Sequence, residues 1–409
     1  MAWGRVFVLN MMPGTLHYRG VAKPGVRSAI TLLLLGLVGC SAGGNVAAPF
    51  TTPVEQKLPD PATTRLDQSK AAAPQAVLTK VVSQYAATPE AESASRGITA
   101  AVVRDKWVWS GAAGTDAAGV RLTPSTSTAM ASITKTFVAA EVLLLAKSGR
   151  INLDAPLSTY VKHRLTSNGA TVRQHLAMRS GLPNYPPADY TKMDKAIAAA
   201  PARHWTSEQI LAYDTAPSGK PDSEYNYSNP SYVLLGMLIE KVTGQPMATV
   251  LRRDLAKPAG LERAAFQDAE RPQPPIAEDR NPVCGKGVDG FLPCRAIASL
   301  SAANAGLAAD APTVARWGYQ LYGGRVVPAD VAGQMTAGDG EYGLGTMLFS
   351  LSLGLETAVG HQGDMPDYTS LMVAVPEKKV SIAILLADGN KNVKTVAAEL
   401  LTAVQQALG

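Results

Sequence analysis

The pattern of apolar and polar residues is strand-like near both ends of the chain and helix-like in its middle. Residues 98–103 and 106–110 are apolar or alternating segments separated by a polar turn, and they predict a β-hairpin. Residues 368–375 and 380–386 predict a second hairpin, because a turn of one Pro, one Glu and two Lys separates two largely apolar runs. We therefore expect a sheet whose strands come from distant parts of the sequence.

Helical periodicity dominates the segments around and between these hairpins. An apolar run at residues 132–147 predicts a central helix, and apolar residues recur at helical spacing in residues 232–242. Gly149 follows the central run and predicts its end. Residues 76–86 predict a shorter helix, and residues 393–408 predict a final amphipathic helix.

Strands at both ends with helices between them predict an α/β (α+β) fold, in which a discontinuous antiparallel sheet is flanked by helices. We expect a globular domain over residues 76–409, with its α/β parts at about 76–155 and 300–409. A mostly helical insertion is expected at about 156–299. Residues 40–75, rich in Ala, Pro, Thr and Gly, predict a flexible tether before the domain.

The N-terminal stretch has the pattern of an export signal. A basic segment precedes an apolar run at residues 29–39, which is too short to cross a bilayer core of about 30 Å as a helix. Residues 37–40, Leu-Val-Gly-Cys, resemble a bacterial lipobox, in which Cys40 becomes the lipidated first residue of the mature protein. We therefore expect residues 1–39 to be a lipoprotein signal peptide, and the protein to be exported and lipid-anchored to the outer face of the bacterial cell membrane. The alternative is an ordinary signal peptide with a chance cysteine.

The formal net charge of +5 over 409 residues does not indicate nucleic-acid binding. Four of the 38 basic residues precede residue 40, where no acidic residue occurs, so that 34 basic and 33 acidic residues remain. The sequence has no basic stripe with interleaved aromatic residues. We expect no nucleic-acid partner, and a membrane partner only through the lipid anchor.

The two cysteines that remain after Cys40 flank a loop rich in glycine and proline. A pair such as Cys284 and Cys294 in an exported protein predicts a structural disulfide. The pair lacks the tight spacing and the partner ligands of a zinc site. No metal and no cofactor is predicted.

A serine stands three residues before a lysine at the start of the central apolar run. If the run is helical, Ser132 and Lys135 share a face, so that the lysine amine lies beside the serine hydroxyl. A serine hydroxyl needs a base within hydrogen-bond reach to attack a carbonyl, and burial lowers the pKa of a lysine enough for its amine to serve. The same spacing also arises by chance in a chain of this length.

Two further tripeptides change the interpretation of this serine. Tyr227-Ser228-Asn229 is the only Tyr-x-Asn in the chain, and His361-Gln362-Gly363 is the only His-x-Gly. With Ser-x-x-Lys, in this order, they resemble the three signatures of the penicillin-recognising serine hydrolases. The Tyr-x-Asn form is similar to the class C β-lactamase branch, with its D-alanyl-D-alanine carboxypeptidases and esterases, and the resemblance covers about residues 80–405.

This resemblance implies a role for each motif residue. Ser132 would form an acyl-enzyme, Lys135 would accept or relay its proton, and Tyr227 would be a partner base whose pKa a nearby cation lowers. It also implies that Asn229 orients Lys135 or binds the substrate amide. The oxyanion would be bound by the amides of Ser132 and of Asp364, which follows Gly363 on a strand. Gly363 would let that strand approach the substrate closely because it has no side chain.

The third motif departs from the β-lactamase pattern. Enzymes of that branch usually carry Lys-Thr-Gly, whereas this chain has His361 and Gln362 before the glycine. An imidazole with a pKa of about 6.5 is only partly charged at neutral pH and would hold a substrate carboxylate less firmly than lysine does. The sequence favours a serine hydrolase acting on a small-molecule or peptidoglycan-derived amide or ester, most like a D-alanyl-D-alanine carboxypeptidase or β-lactamase. A carboxylesterase and a non-catalytic cell-wall-binding lipoprotein are the alternatives.

Overall fold

The computed structural model of the protein describes the following residues: 64–87, 96–215, 218–222, 224–278, 283–285, 289–338, 340–349, 357–365, 367–387 and 393–408. The predicted signal peptide, Cys40 and most of the predicted tether lie outside these residues. The strands are β1 Gly97–Arg104, β2 Val108–Gly114, β3 Thr128–Ala129, β4 Ala265–Phe266, β5 Leu307–Ala309, β6 Met347–Leu348, β7 Val359–Met365, β8 Tyr368–Val375 and β9 Val380–Leu386. The helices are α1 Gln68–Ala87, α2 Thr134–Lys147, α3 Val172–Leu176, α4 Pro187–Ala199, α5 Ser207–Leu211, α6 Asn229–Thr243, α7 Met247–Leu251, α8 Arg295–Leu300, α9 Ala311–Tyr322, α10 Ala329–Thr336 and α11 Val393–Leu408.

The main sheet has six antiparallel strands in the order β2-β1-β9-β8-β7-β6. Strand β1 pairs with β9, with Ile98 opposite Leu386, so the two predicted hairpins join side by side. The structure confirms the predicted fold class, an antiparallel sheet built from distant segments and flanked by helices. A separate three-stranded sheet has the order β3-β5-β4.

Helices cover both faces of the main sheet, which explains why its central strands are apolar rather than alternating. Leu371 packs with residues of α1 and α11 on one face, whereas its neighbour Met372 packs on the other face in the cluster that contains α2 and α9. On that second side, Trp317 stacks on Phe137 with 3.8 Å between ring centroids and donates a 2.8 Å hydrogen bond to Thr136. These contacts tie α9, which packs on the sheet, to the nucleophile helix α2.

Helix α1 begins at Gln68, eight residues before the predicted start and inside the predicted tether. Asp67 accounts for the earlier start, because its side chain accepts a 2.8 Å hydrogen bond from the backbone N–H of Ser69 and so satisfies a free amide of the first turn. Leu78 and Val81 then bury the helix against the sheet. The tether prediction for residues 68–75 is wrong, and its earlier part lies outside the described residues.

The segment between α2 and β5 contains helices α3 to α8, joined by loops and turns, and the two-residue strand β4. Cys284 and Cys294 are joined by a disulfide in this segment, with 5.9 Å between their Cα atoms. Within the part of the chain that the structure describes, no helix is both long and apolar enough to span a bilayer.

Candidate active site

Ser132 lies in a buried turn immediately before α2. The turn is a single 3₁₀ turn at Ala131–Ile133. Residues three apart lie above one another in such a turn, so Ser132 still lies on the same side as Lys135. Ala131 has a φ of +45°, a left-handed conformation that costs a non-glycine residue about 1–3 kcal/mol. The strained turn is held on both sides, because the Met130 N–H donates to Leu307 and the Ser370 hydroxyl donates to the Met130 carbonyl at 2.7 Å.

Lys135 is fully buried and its amine meets three oxygen atoms. Nζ lies 3.0 Å from Oγ of Ser132, 2.8 Å from Oδ1 of Asn229 and 2.8 Å from the backbone carbonyl of Asn304. Burial holds the pKa of Lys135 well below its usual value, which favours the neutral amine. A neutral amine has two N–H groups, which the two amide oxygens satisfy, and one lone pair, which then faces the serine hydroxyl. The contacts therefore suit a general base.

Tyr227 lies on the other side of the serine. Its hydroxyl lies near enough to Ser132 for the two groups to affect each other's protonation, and its ring centroid lies 4.9 Å from the Lys135 amine. Although the side chain retains some exposure, surrounding protein raises the pKa of Tyr227 well above its usual value, and the nearby Ser132 hydroxyl opposes this only in part. The expected lowering of this pKa is wrong, because burial raises it and the neutral Lys135 amine supplies no positive charge to lower it. Tyr227 is a protonated phenol at neutral pH and therefore suits a proton donor or relay.

Asn229 owes its position to the start of α6. Ser228 is the cap of this helix and accepts a hydrogen bond from the backbone N–H of Ser231 at 3.2 Å, so Asn229 is not needed as a cap. Pro230 follows in the first turn, where its missing N–H is harmless. The Asn229 side chain is therefore available to accept from Lys135, as the resemblance implies.

His361 is fully buried, and both nitrogen atoms of its ring form hydrogen bonds within the protein. Nδ1 donates to the carbonyl of Gln362 at 2.5 Å, so Nε2 is the acceptor of a 3.0 Å hydrogen bond from the Tyr342 hydroxyl. Burial, and secondarily the nearby Lys135, lowers the pKa of His361 to about 3. The imidazole is thus neutral at physiological pH, and the expectation of a partly charged group that holds a carboxylate is wrong.

Gly363 brings strand β7 against the nucleophile turn. A Cβ on this residue would lie 2.4 Å from the Met130 carbonyl oxygen and 2.9 Å from the Ser132 nitrogen, distances at which something must move. Only glycine lets β7 lie this close to the turn. The amide of Asp364 follows on the same strand, and the Asp364 side chain accepts a 3.0 Å hydrogen bond from Gln362. Strand β7 therefore lies directly against the backbone N–H of Ser132, which an oxyanion hole formed by the turn and this strand would need.

Two participants were not identified from the sequence. Tyr342 contacts His361 and meets Tyr227 edge-on with 6.3 Å between ring centroids, so it links the second and third motif regions. Asn304 contributes its backbone carbonyl to Lys135. A Tyr-Gly-Leu-Gly segment at residues 342–345 is the sequence signal that locates Tyr342, whereas a carbonyl contact leaves no signal in the sequence.

A cavity of about 90 Å³ opens beside the Lys135 contacts. Asn229, Asn304 and Met365 border it on the catalytic side, and α4, α5 and α8 supply most of the remaining wall. Among the described residues, no group of three or more His, Cys, Asp and Glu side chains could hold a metal ion. A serine hydroxyl, a neutral amine and backbone N–H groups are the components that acyl transfer uses.

Comparisons with known proteins show what the chain is similar to. The beta-lactamase family profile matches residues 78–407. Protein flp of Staphylococcus aureus (strain NCTC 8325 / PS 47) is 31% identical over 153 residues, which are 36% of this chain and 30% of that protein. Teichoic acid D-alanine hydrolase of Staphylococcus aureus (strain MRSA252) is 26% identical over 151 residues, 37% of this chain and 35% of that protein. The chain thus spans about a third of the length of these curated relatives.

Solved structures share the fold over most of the chain. D-amino acid amidase from Ochrobactrum anthropi SV3, complexed with L-phenylalanine amide, superimposes with a TM-score of 0.68 at 20% identity, covering 84% of this chain and all of that one. D-stereospecific amidohydrolase from a Streptomyces species gives a TM-score of 0.65 at 26% identity, covering 80% and 98%. The penicillin-binding protein homologue from Pyrococcus abyssi gives 0.66 at 23% identity, covering 81% and 77%.

Proposed function

Because the chain belongs to the beta-lactamase family, a family of serine hydrolases, we propose that it hydrolyses amide or ester bonds through an acyl-enzyme on Ser132. The observation that carries the proposal is the 3.0 Å approach of the buried Lys135 amine to the Ser132 hydroxyl. No requirement of stability alone places a fully buried lysine beside a serine, since desolvating an amine is unfavourable.

The first half of the reaction forms the acyl-enzyme. The lone pair of Lys135 takes the proton of the Ser132 hydroxyl while Oγ attacks the carbonyl carbon. The negative charge that develops on the carbonyl oxygen is stabilised by the backbone N–H groups of Ser132 and Asp364. When the tetrahedral intermediate collapses, the bond to the leaving nitrogen or oxygen breaks. Tyr227, which is protonated and contacts Ser132, gives its proton to the leaving group and regains one from the Lys135 ammonium.

The second half releases the acid. A water molecule loses a proton to the neutral Lys135 amine and attacks the acyl carbon, so that a second tetrahedral intermediate forms. Its collapse breaks the bond to Oγ, which takes the proton back from Lys135. The acid leaves, and Ser132 and Lys135 return to their starting protonation states. The same oxyanion donors serve both halves.

The acyl donor that this site supports best is a D-aminoacyl amide or ester. Support comes from the names of the similar proteins, which include a D-amino acid amidase, a D-stereospecific amidohydrolase and a teichoic acid D-alanine hydrolase. A D-alanyl-D-alanine carboxypeptidase or a β-lactamase must also hold a carboxylate on its substrate, and the neutral His361 and Lys135 supply no cation for it. A carboxylesterase with broader acyl preference is the second candidate.

The test begins with the nucleophile. A fluorophosphonate probe should add to Ser132, as mapped by mass spectrometry, and Ser132→Ala should abolish the adduct. Ser148→Ala, at the exposed far end of α2, is the matched control and should label like the wild type. Absence of any adduct in the folded wild type would contradict catalysis and favour a binding protein.

A substrate panel then separates the candidate activities. D-alaninamide, a D-Ala-D-Ala peptide, p-nitrophenyl acetate and a penicillin should be compared on the protein lacking residues 1–40. We expect hydrolysis of the D-amino acid amide and of esters to exceed that of the peptide and the penicillin. Turnover of p-nitrophenyl acetate without cleavage of any D-amino acid derivative would leave the carboxylesterase.

We also propose that the enzyme acts outside the cytoplasmic membrane as a lipoprotein. This rests on the sequence alone, since Cys40 lies outside the described residues. Metabolic labelling with a palmitate analogue should mark the full chain, and Cys40→Ala should remove the label and release the protein from the membrane fraction. Labelling that survives Cys40→Ala would contradict lipidation at this cysteine.

A further inference from the structure

The cavity beside Lys135 has an apolar wall and lies on one defined side of the nucleophile. Its apolar lining comes from three helices: Met193 and Ile197 on α4, Ile210 on α5, and Ile297 and Leu300 on α8. Asn229 and Asn304, whose oxygens flank the Lys135 amine, form the end nearest Ser132. Ser132 and Lys135 lie beyond this end rather than in the lining, and Tyr227, Tyr342 and His361 do not line the cavity either.

The position of the proton donor decides which half of a substrate enters this cavity. The leaving group must lie where it can take a proton, and the protonated phenol of Tyr227, whose ring lies 4.9 Å from the Lys135 amine, is the donor proposed above. Because Tyr227 is not part of the cavity, the leaving group lies away from it. The acyl half, which stays bonded to Ser132, therefore lies towards the cavity.

The size of the cavity limits the group that fits. At about 90 Å³, the cavity is smaller than an apolar cavity of about 150 Å³ that binds benzene. A branched side chain of about three or four carbon atoms matches this volume, whereas a methyl group underfills it and a benzyl group exceeds it.

Two polar groups at the cavity offer oxygen atoms that lack donors. Oδ1 of Asn304 is buried without a hydrogen-bond partner among the described residues, and the residue is only 6% exposed. The half-buried carboxylate of Asp194 also lines the cavity, and burial raises its pKa. Buried acceptors in this state are unfavourable unless a ligand supplies donors.

We propose that this cavity is the acyl subsite and selects D-amino acid derivatives that have a branched aliphatic side chain and a free amino group, which Asp194 and Asn304 bind. The proposal rests on the acyl-enzyme function proposed above and adds the chemistry of the acyl half. The ammonium of the substrate supplies the hydrogen-bond donors and the positive charge that the two oxygens lack. The apolar wall of the cavity binds the substrate side chain. Ser132 attacks the carbonyl group that is bonded to the same α-carbon as the ammonium and the side chain.

The test compares kcat/KM for D-leucinamide, D-alaninamide, D-phenylalaninamide and N-acetyl-D-leucinamide. D-leucinamide should be the best of the four in the wild type, because a methylene in an apolar pocket changes kcat/KM by about 10-fold or more. Asp194→Asn should lower kcat/KM for D-leucinamide by about 10- to 100-fold, since it removes a charged hydrogen bond, and should change that for N-acetyl-D-leucinamide by less than about twofold. Glu208→Gln, on the exposed face of α5, is the matched control and should leave the preference for the free amine unchanged.

A second variant tests the side-chain pocket. Ile297→Phe adds volume to the wall and should shift the preference from D-leucinamide to D-alaninamide. Fluorophosphonate labelling of Ser132 at the wild-type rate shows that each variant is folded and that the nucleophile is intact. With labelling intact, equal losses on free and acetylated substrates in Asp194→Asn, or an unchanged side-chain preference in Ile297→Phe, would overturn the subsite. A wild type that never labels would instead overturn the acyl-enzyme function.

Discussion

A buried carboxyl on the nucleophile helix makes the stability of this protein depend on pH. Glu141 follows Lys135 by six residues on α2, and its Oε2 has no hydrogen-bond partner among the described residues. Burial, and secondarily the charge of Asp254, raises the pKa of Glu141 from 4.5 to about 7, with Arg253 acting in the opposite direction. Since the folded state holds this proton more tightly than the unfolded chain does, the stabilisation is complete below pH 4.5 and is lost as the pH rises through 7.

The size of the effect follows from the shift. A rise from 4.5 to about 7 corresponds to about 3 kcal/mol at high pH, and about 2.5 kcal/mol of this should be lost between pH 5 and pH 8. Glu141→Gln keeps the shape of the side chain and is uncharged throughout. The variant should therefore lose less stability over this interval and should exceed the wild type at pH 8 by about 2 kcal/mol.

The assay is urea unfolding followed by circular dichroism at pH 5, 6, 7 and 8. Glu208→Gln removes an exposed carboxylate and should keep the wild-type pH dependence. If the free energy of unfolding of Glu141→Gln falls with pH as steeply as that of the wild type, Glu141 does not carry the proton and the reasoning is refuted.

Three further variants test the site and its support. Gly363→Ala forces β7 away from the Ser132 turn and displaces an oxyanion donor, so kcat should fall about 10²- to 10³-fold, and an unchanged kcat would contradict the close approach. Tyr342→Phe leaves Nε2 of His361 buried without its donor and should lower the free energy of unfolding by about 1–3 kcal/mol in urea titrations, whereas an unaltered midpoint would count against that hydrogen bond. Replacing Cys284 and Cys294 with alanine opens a loop with a sequence separation of 10 and should lower stability by about 3 kcal/mol, with reduction of the wild type as the parallel measurement.

The parts of the fold that the sequence predicts best are those with strong local signals. The bounds of β8, β9 and α11 match the predicted 368–375, 380–386 and 393–408, because a polar turn interrupts two apolar runs and helical periodicity continues into the last segment. The sequence predicts the start of α1 too late, because Pro74 suggests a helix boundary. In the structure Pro74 lies inside the helix.

The sequence predicts which residues form the candidate site, but it does not predict their protonation states. Ser132, Lys135 and Asn229 stand in contact as the resemblance implies. The protonation states of Tyr227 and His361 were not predictable, because desolvation depends on how many atoms the fold packs around each ring. The sequence alone does not contain that packing.

The pairing of β1 with β9 gives the molecule a high contact order. Ile98 and Leu386 are 288 positions apart, and bringing such distant residues together costs about 5 kcal/mol of chain entropy relative to adjacent ones. The strand that carries Asp364 is also made late in synthesis, long after the serine. On the mechanism proposed above, a nascent chain therefore has the nucleophile and the base but lacks the second oxyanion donor until its last strands dock. Activity would thereby be coupled to complete folding rather than to synthesis of the motifs.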